Sequence, residues 1–128
     1  MSYSTKKVVG IFIDHKEASI INTPDHSNKG EFSIQATIHN KHHGDHGSNE
    51  RTHNQKAANE MHKYFEEISN HLQEFDAILL FGFGTAQEQM RHFLTDHKSF
   101  QNKEIIVKSG DHMTDNEMIA FVRNTFKA

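Results

Sequence analysis

Two apolar runs constrain this chain more than anything else in it. Val8-Val9-Gly10-Ile11-Phe12-Ile13 and Ala77-Ile78-Leu79-Leu80-Phe81-Gly82-Phe83 carry no polar side chain. A strand with one wet face alternates apolar and polar residues, whereas a strand covered on both faces does not. Both runs therefore predict buried strands.

The segments around them complete the pattern. Asp14-His15-Lys16-Glu17 reads as a turn into a second strand, Ala18 to Asn22. The single proline, Pro24, opens a polar, turn-rich stretch that runs to Gly30. Glu31 to His39 then alternates, with Phe32, Ile34, Ala36 and Ile38 on one side, which predicts a strand with a wet face or a place at a sheet edge. Asn40 to Asn54 has no apolar residue and predicts a long loop, a length usually tied to function or disorder. From about Gln55 a helix is expected, with Ala58, Met61, Phe65, Ile68, Leu72 and Phe75 forming its apolar stripe.

Gly82-Phe83-Gly84 ends the fourth strand, and Thr85-Ala86-Gln87-Glu88 reads as a capping box opening a helix through Met90, Phe93 and Leu94. Glu104 to Lys108 predicts a short fifth strand. Thr114-Asp115-Asn116-Glu117 is a second capping box, opening a last helix with Met118, Phe121, Val122 and Phe126. The order is β-β-β-α-β-α-β-α. Right-handed crossovers place the fourth strand beside the first and the fifth beyond it. The fold class expected is α/β, a mixed five-stranded sheet in order 3-2-1-4-5, which resembles the ribonuclease H-like architecture. Val9, Ile11, Ile13, Ile78, Leu80, Met61, Phe65 and Ile68 are the expected core.

Composition narrows the function. The 128 residues suit one domain, 1–128, and the absence of cysteine excludes disulfides and thiolate sites. No N-terminal targeting segment or membrane span is evident, so a cytoplasmic protein without membrane contact is expected. A net charge of −3 excludes bulk polyanion binding, but twelve histidines make that charge sensitive to mild acid.

Three candidate sites compete. Asp14 and Glu60 could supply two carboxylates of a metal-dependent nuclease, but the fourth strand lacks the third acid, so that reading fails and Asp14 reads as a turn residue. Gly82-Phe83-Gly84-Thr85 looks like a loose phosphate-binding turn, yet without a Gly-x-Gly-x-x-Gly or a Walker lysine it reads as a sharp strand-to-helix turn. The densest candidate is the loop, which holds His39, His42, His43, His46 and His53 with Gly44, Gly47, Asp45, Glu50 and Arg51. Neutral imidazoles could converge there on zinc, nickel or copper, although no HExxH spacing is present. A Ser48-His46-Asp45 relay is disfavoured because such near neighbours seldom align.

The whole chain, over residues 7 to 127, resembles the central domain of the archaeo-eukaryotic class I release factors and of the Pelota rescue factor. Among these it is closest to short bacterial release factor-like proteins. That family carries its Gly-Gly-Gln loop between the third strand and the first long helix. The matching stretch here is Lys41-His42-His43-Gly44-Asp45-His46-Gly47-Ser48-Asn49. Set on the family pattern basic-His-Gly-x-Gly-Gly-Gln-Ser, His43, Gly44 and Gly47 match. His46 replaces the first glycine of the motif, and Ser48 replaces its glutamine. Leu80-Phe81-Gly82-Phe83-Gly84 resembles the family's later glycine-rich turn.

The resemblance implies a translation factor that binds the ribosome or tRNA, in rescue, stalling or dormancy, with no cofactor. Lys41, His42, His43, Gly44, His46, Gly47, Ser48, Arg51 and Lys56 are the expected RNA contacts. Without Gly-Gly-Gln, peptidyl-tRNA hydrolysis is not expected and no residue is assigned as catalytic. The alternative is a metal-binding or metal-responsive protein using the loop histidines.

Overall fold

A computed structural model of the chain describes the backbone of residues 3–40 and 50–127, and the side chains of 3–40 and 58–127. Its elements are β1 (Val8–Ile13), β2 (Glu17–Asn22), β3 (Ser33–His39), α1 (Glu50–Asn70), β4 (Ala77–Gly82), α2 (Ala86–Thr95), β5 (Glu104–Ser109) and α3 (Asp115–Phe126), with a 3-10 turn at Lys98–Phe100. The five strands form one sheet in the expected order β3-β2-β1-β4-β5. β1 pairs in parallel with β4, and β4 with β5; β2 is antiparallel to both β1 and β3.

The two apolar runs have no polar residue because each meets helices on both sides. Val9, Ile11, Ile13, Ile78 and Leu80 join Tyr64, Phe65 and Ile68 of α1 and Met90 and Leu94 of α2 in one buried cluster. Val8, Phe12, Leu79 and Phe81 point the other way and pack with Met118, Val122 and Phe126 of α3. α3 lies close on β1: a Cβ at Gly10 would collide with the Val122 side chain. Burial of this kind contributes about 25 cal/mol per Å² of apolar surface, so these two layers supply most of the stabilisation.

Several boundaries differ from the sequence expectation. α1 begins at Glu50, so the predicted loop ends by residue 49 rather than at Asn54. Glu50 to Asn54 contains no apolar residue from which a helical stripe could be read. Ala58 is exposed and Met61 only partly buried, while Tyr64, which the stripe omitted, is buried. Phe32 is buried but precedes β3, which starts at Ser33.

The two predicted capping boxes diverge as well. Thr114 has the extended backbone of an N-cap (ψ 166°); its side chain accepts from the Glu117 N–H while Glu117 accepts from the Thr114 N–H. Thr85 sits in the helical region (ψ −7°) and makes no side-chain cap, and Glu88 pairs with Arg91 at 3.3 Å instead.

Candidate functional site

In open α/β sheets, ligands bind beyond the carboxyl ends of the strands, where loops converge. β3, β1, β4 and β5 all run the same way here, so their carboxyl ends share one edge. Asn40 marks where β3 leaves that edge. It is 9% exposed; its N–H donates to the Lys16 carbonyl (2.8 Å) and its Nδ2 to the His15 carbonyl (3.1 Å), with Met61 Sδ at 3.3 Å. The contact also levels Met61 with the end of β3. α1 therefore runs on for about 16 Å, at 1.5 Å per residue, from Met61 back to its start at Glu50.

The segment between these two anchors is the predicted RNA-binding loop. Lys41, His42, His43, Gly44, His46, Gly47 and Ser48 lie outside the described residues. Arg51 and Lys56 fall on α1, with their side chains likewise outside. The chain thus leaves β3 at the carboxyl edge of the sheet and is described again from Glu50, where α1 begins.

Beside Asn40 the same edge holds a cleft of about 580 Å³, lined by Phe12, the 14–17 turn, Phe83, His112, Met113 and Met118. Phe83, 40% exposed, is the exposed large hydrophobic side chain among the described residues. Its ring lies 3.8 Å from that of His112, tilted by 30°, and 6.0 Å from that of Phe12. Sequence reading treated Phe83 as the end of a buried strand. The strand ends one residue earlier, at Gly82, and that leaves the next ring in the cleft.

The turn holding Phe83 is built on Gly82 and Gln87. Gln87 is fully buried, and its Nε2 donates to the carbonyls of Gly82 (3.2 Å) and Gly84 (2.9 Å). A Cβ on Gly82 would meet the Ile13 carbonyl oxygen at 2.5 Å and Gln87 Oε1 at 2.9 Å; one on Gly84 would meet nothing within 4 Å. The phosphate-turn reading gains nothing from this geometry, because the buried Gln87 amide spans the turn.

Asp14 is a turn residue, as expected: its Oδ1 accepts from the Lys16 N–H (2.7 Å) and the Glu17 N–H (2.8 Å). The Tyr64 hydroxyl donates to the Asp14 carbonyl at 2.9 Å. Burial, then the nearby Asp14 and Glu17 carboxylates, push the Tyr64 phenol far above its ordinary range, so it stays a neutral donor. Glu60, the other nuclease candidate, is buried on α1 and does not line the cleft. Asp14 is spent on the turn, and Phe12, Phe83, Met113 and Met118 give the cleft a wall suited to holding a planar or apolar group.

Histidines gather at this edge. His15 Nε2 lies 2.8 Å from Gln89 Oε1, His39 Nδ1 3.5 Å from a Glu17 oxygen, and His112 stacks on Phe83. Among the described residues no three histidines or carboxylates converge as metal ligands. The metal alternative rests on loop histidines outside that set. No helix among the described residues is long and apolar enough to cross a membrane.

Comparison with solved structures gives a likeness of fold. No family model matches the sequence, and no curated protein matches it. Among solved structures, the crystal structure of an archaeal translation termination factor superposes with a TM-score of 0.51 at 12% sequence identity. The match covers 91% of this chain and 34% of that one, so the chain spans about a third of the archaeal protein's length. At that identity the likeness is one of fold: this chain has a distant release factor-like α/β fold.

Proposed function

We propose that this chain is a noncatalytic translation-associated factor that binds the ribosome or tRNA through residues 41–56, in rescue or dormancy. The observation that carries the reading is the likeness over 91% of the chain to a protein described as a translation termination factor. The chain order supports it: residues 41–49 connect β3, which ends at the carboxyl edge of the sheet, to α1. Lys41, His42, His43, His46, Arg51 and Lys56 would supply phosphate contacts, and Gly44, Gly47 and Ser48 would let the backbone come close to RNA. The exposed Phe83 ring adds a face on which an unpaired base can stack.

Hydrolysis is not part of this function. In the family motif two glycines permit close approach and the glutamine places the attacking water, a positioning effect that can carry several kcal/mol. His46 adds a ring where the first glycine stands, and Ser48 is shorter than glutamine.

The test is cosedimentation with purified ribosomes across a salt series. Binding that weakens steeply with salt, and weakens further in a Lys41→Ala/Arg51→Ala/Lys56→Ala variant, is expected. Labelled peptide on stalled ribosome complexes should stay attached. Absence of ribosome and tRNA binding at low salt, with stoichiometric zinc in the purified protein, would replace this reading with the metal one. Peptide release that disappears in His46→Ala would make the chain a hydrolase.

A further inference from the structure

The sheet has two edge strands, and they differ. On β3 the pairing with β2 jumps from Ile20↔Ala36 to Ile21↔Ile34, which leaves Gln35 as an extra, bulged residue. Gln35, Thr37 and His39 are exposed there. A bulge and polar side chains are devices that keep an edge from recruiting another strand. β5 has no bulge: its register with β4 is unbroken from Glu104 to Ser109, it contains no proline, and between Glu104 and Lys108 it carries an apolar stretch, Ile105, Ile106 and Val107, that is only partly buried. Among the described residues no strand pairs with its outer side.

The backbone fixes which groups face outward. The N–H of Glu104 donates to Asp76 and that of Gly110 to Gly82, so both turn toward the β4 side. With the two-residue period of a strand, Ile106 and Lys108 do the same, while Ile105, Val107 and Ser109 direct their N–H and C=O groups away from the sheet. We propose that β5 pairs antiparallel with β5 of a second copy of this chain across a twofold axis, joining the two sheets edge to edge.

Geometry and charge choose the register. Outward-facing residues must oppose outward-facing residues, which permits centring on Ile106 or on Val107. Centring on Ile106 sets Ile105 against the partner's Val107, and Glu104 against the partner's Lys108, twice by symmetry. Centring on Val107 would set Ile106 against the partner's Lys108 and leave Glu104 without a cation opposite. The Ile106 register is therefore self-complementary in both apolar and charged pairs. Glu104 is already held for the purpose: Tyr3 donates its hydroxyl to Oε2 at 2.8 Å, and Lys6 lies 3.8 Å from Oε1.

Sedimentation equilibrium over a wide concentration range tests this. A reversible dimer is expected. Lys108→Glu or Glu104→Lys alone, each opposing like charges at two symmetric places, should raise the dissociation constant about tenfold or more. The double reversal Glu104→Lys/Lys108→Glu should restore the parental value. Val107→Pro removes an outward N–H, a substitution an edge strand tolerates, and should abolish the dimer while the thermal melt stays cooperative. A chain that is monomeric at every concentration overturns the proposal. So does a dimer indifferent to Val107→Pro, or one that the double reversal fails to restore.

Discussion

At the scale of single residues, Gly82 and Gly84 look alike in the sequence and are unlike in the fold. Gly82 sits where β4 passes the end of β1, and a methyl group there would press on the Ile13 carbonyl, a backbone atom that cannot swing away. Gly82→Ala should therefore cost about 1–3 kcal/mol, the usual penalty of overpacking, and should disturb the turn that presents Phe83. Gly84 has open space around its Cα, and its backbone does not require the left-handed region. Gly84→Ala should be neutral or stabilise by up to about 1 kcal/mol, through a less flexible unfolded chain. Urea denaturation of the two variants separates them; equal losses would mean that close packing is not what fixes Gly82. The Gly-Phe-Gly pattern thus read correctly as a turn, but no sequence signal tells which glycine is needed, because the colliding atom belongs to a strand about seventy residues earlier.

At the scale of elements, the two capping boxes make the same point. Both match the Thr-x-x-Glu pattern, yet only Thr114 has the extended backbone that aims its oxygen at the helix. Thr114→Ala should cost about 1 kcal/mol, while Thr85→Ala should change stability by a few tenths at most. The Thr114 backbone and hydroxyl hydrogen bonds hold the Glu117 carboxyl below the usual carboxylate range. A lowered folded-state pKa means that the Glu117 contribution is present above the ordinary range and is lost as pH falls through the lowered value. The gap between Thr114→Ala and the parent should therefore shrink in strong acid; a gap constant with pH would show that the box is not closed in solution. Strand order was legible throughout, because continuous apolar runs and short connections leave few topologies. The true start of α1 was not, since Glu50 to Asn54 carries no apolar residue by which periodicity could reveal a helix. The cleft was invisible for a related reason: Phe83 and His112 meet only because β4 and β5 end side by side.

At the scale of the whole molecule, charge decides when an anionic partner can bind. With histidines neutral the chain carries −3, although residues 41–56 hold Lys41, Arg51 and Lys56 against Asp45 and Glu50, about +1. The rest of the protein, at about −4, then works against RNA while the proposed contact segment attracts it only weakly. Protonating His42, His43, His46 and His53 would raise that segment to about +5, since an ordinary histidine titrates near pH 6.5. Affinity for ribosomes or tRNA should therefore rise as pH falls from about 7.5 to about 6, with a steeper salt dependence at the lower pH because more phosphates are neutralised. Replacing the four loop histidines with asparagine holds the segment near +1 at both pH values and should remove most of the rise. His15, His39 and His112 stand at the same sheet edge, so a His15→Asn/His39→Asn/His112→Asn variant measures their share separately. If the loop variant keeps the full pH dependence and the edge variant loses it, the contact lies on the cleft rather than on residues 41–56. If neither loses it, the titrating groups belong to the partner.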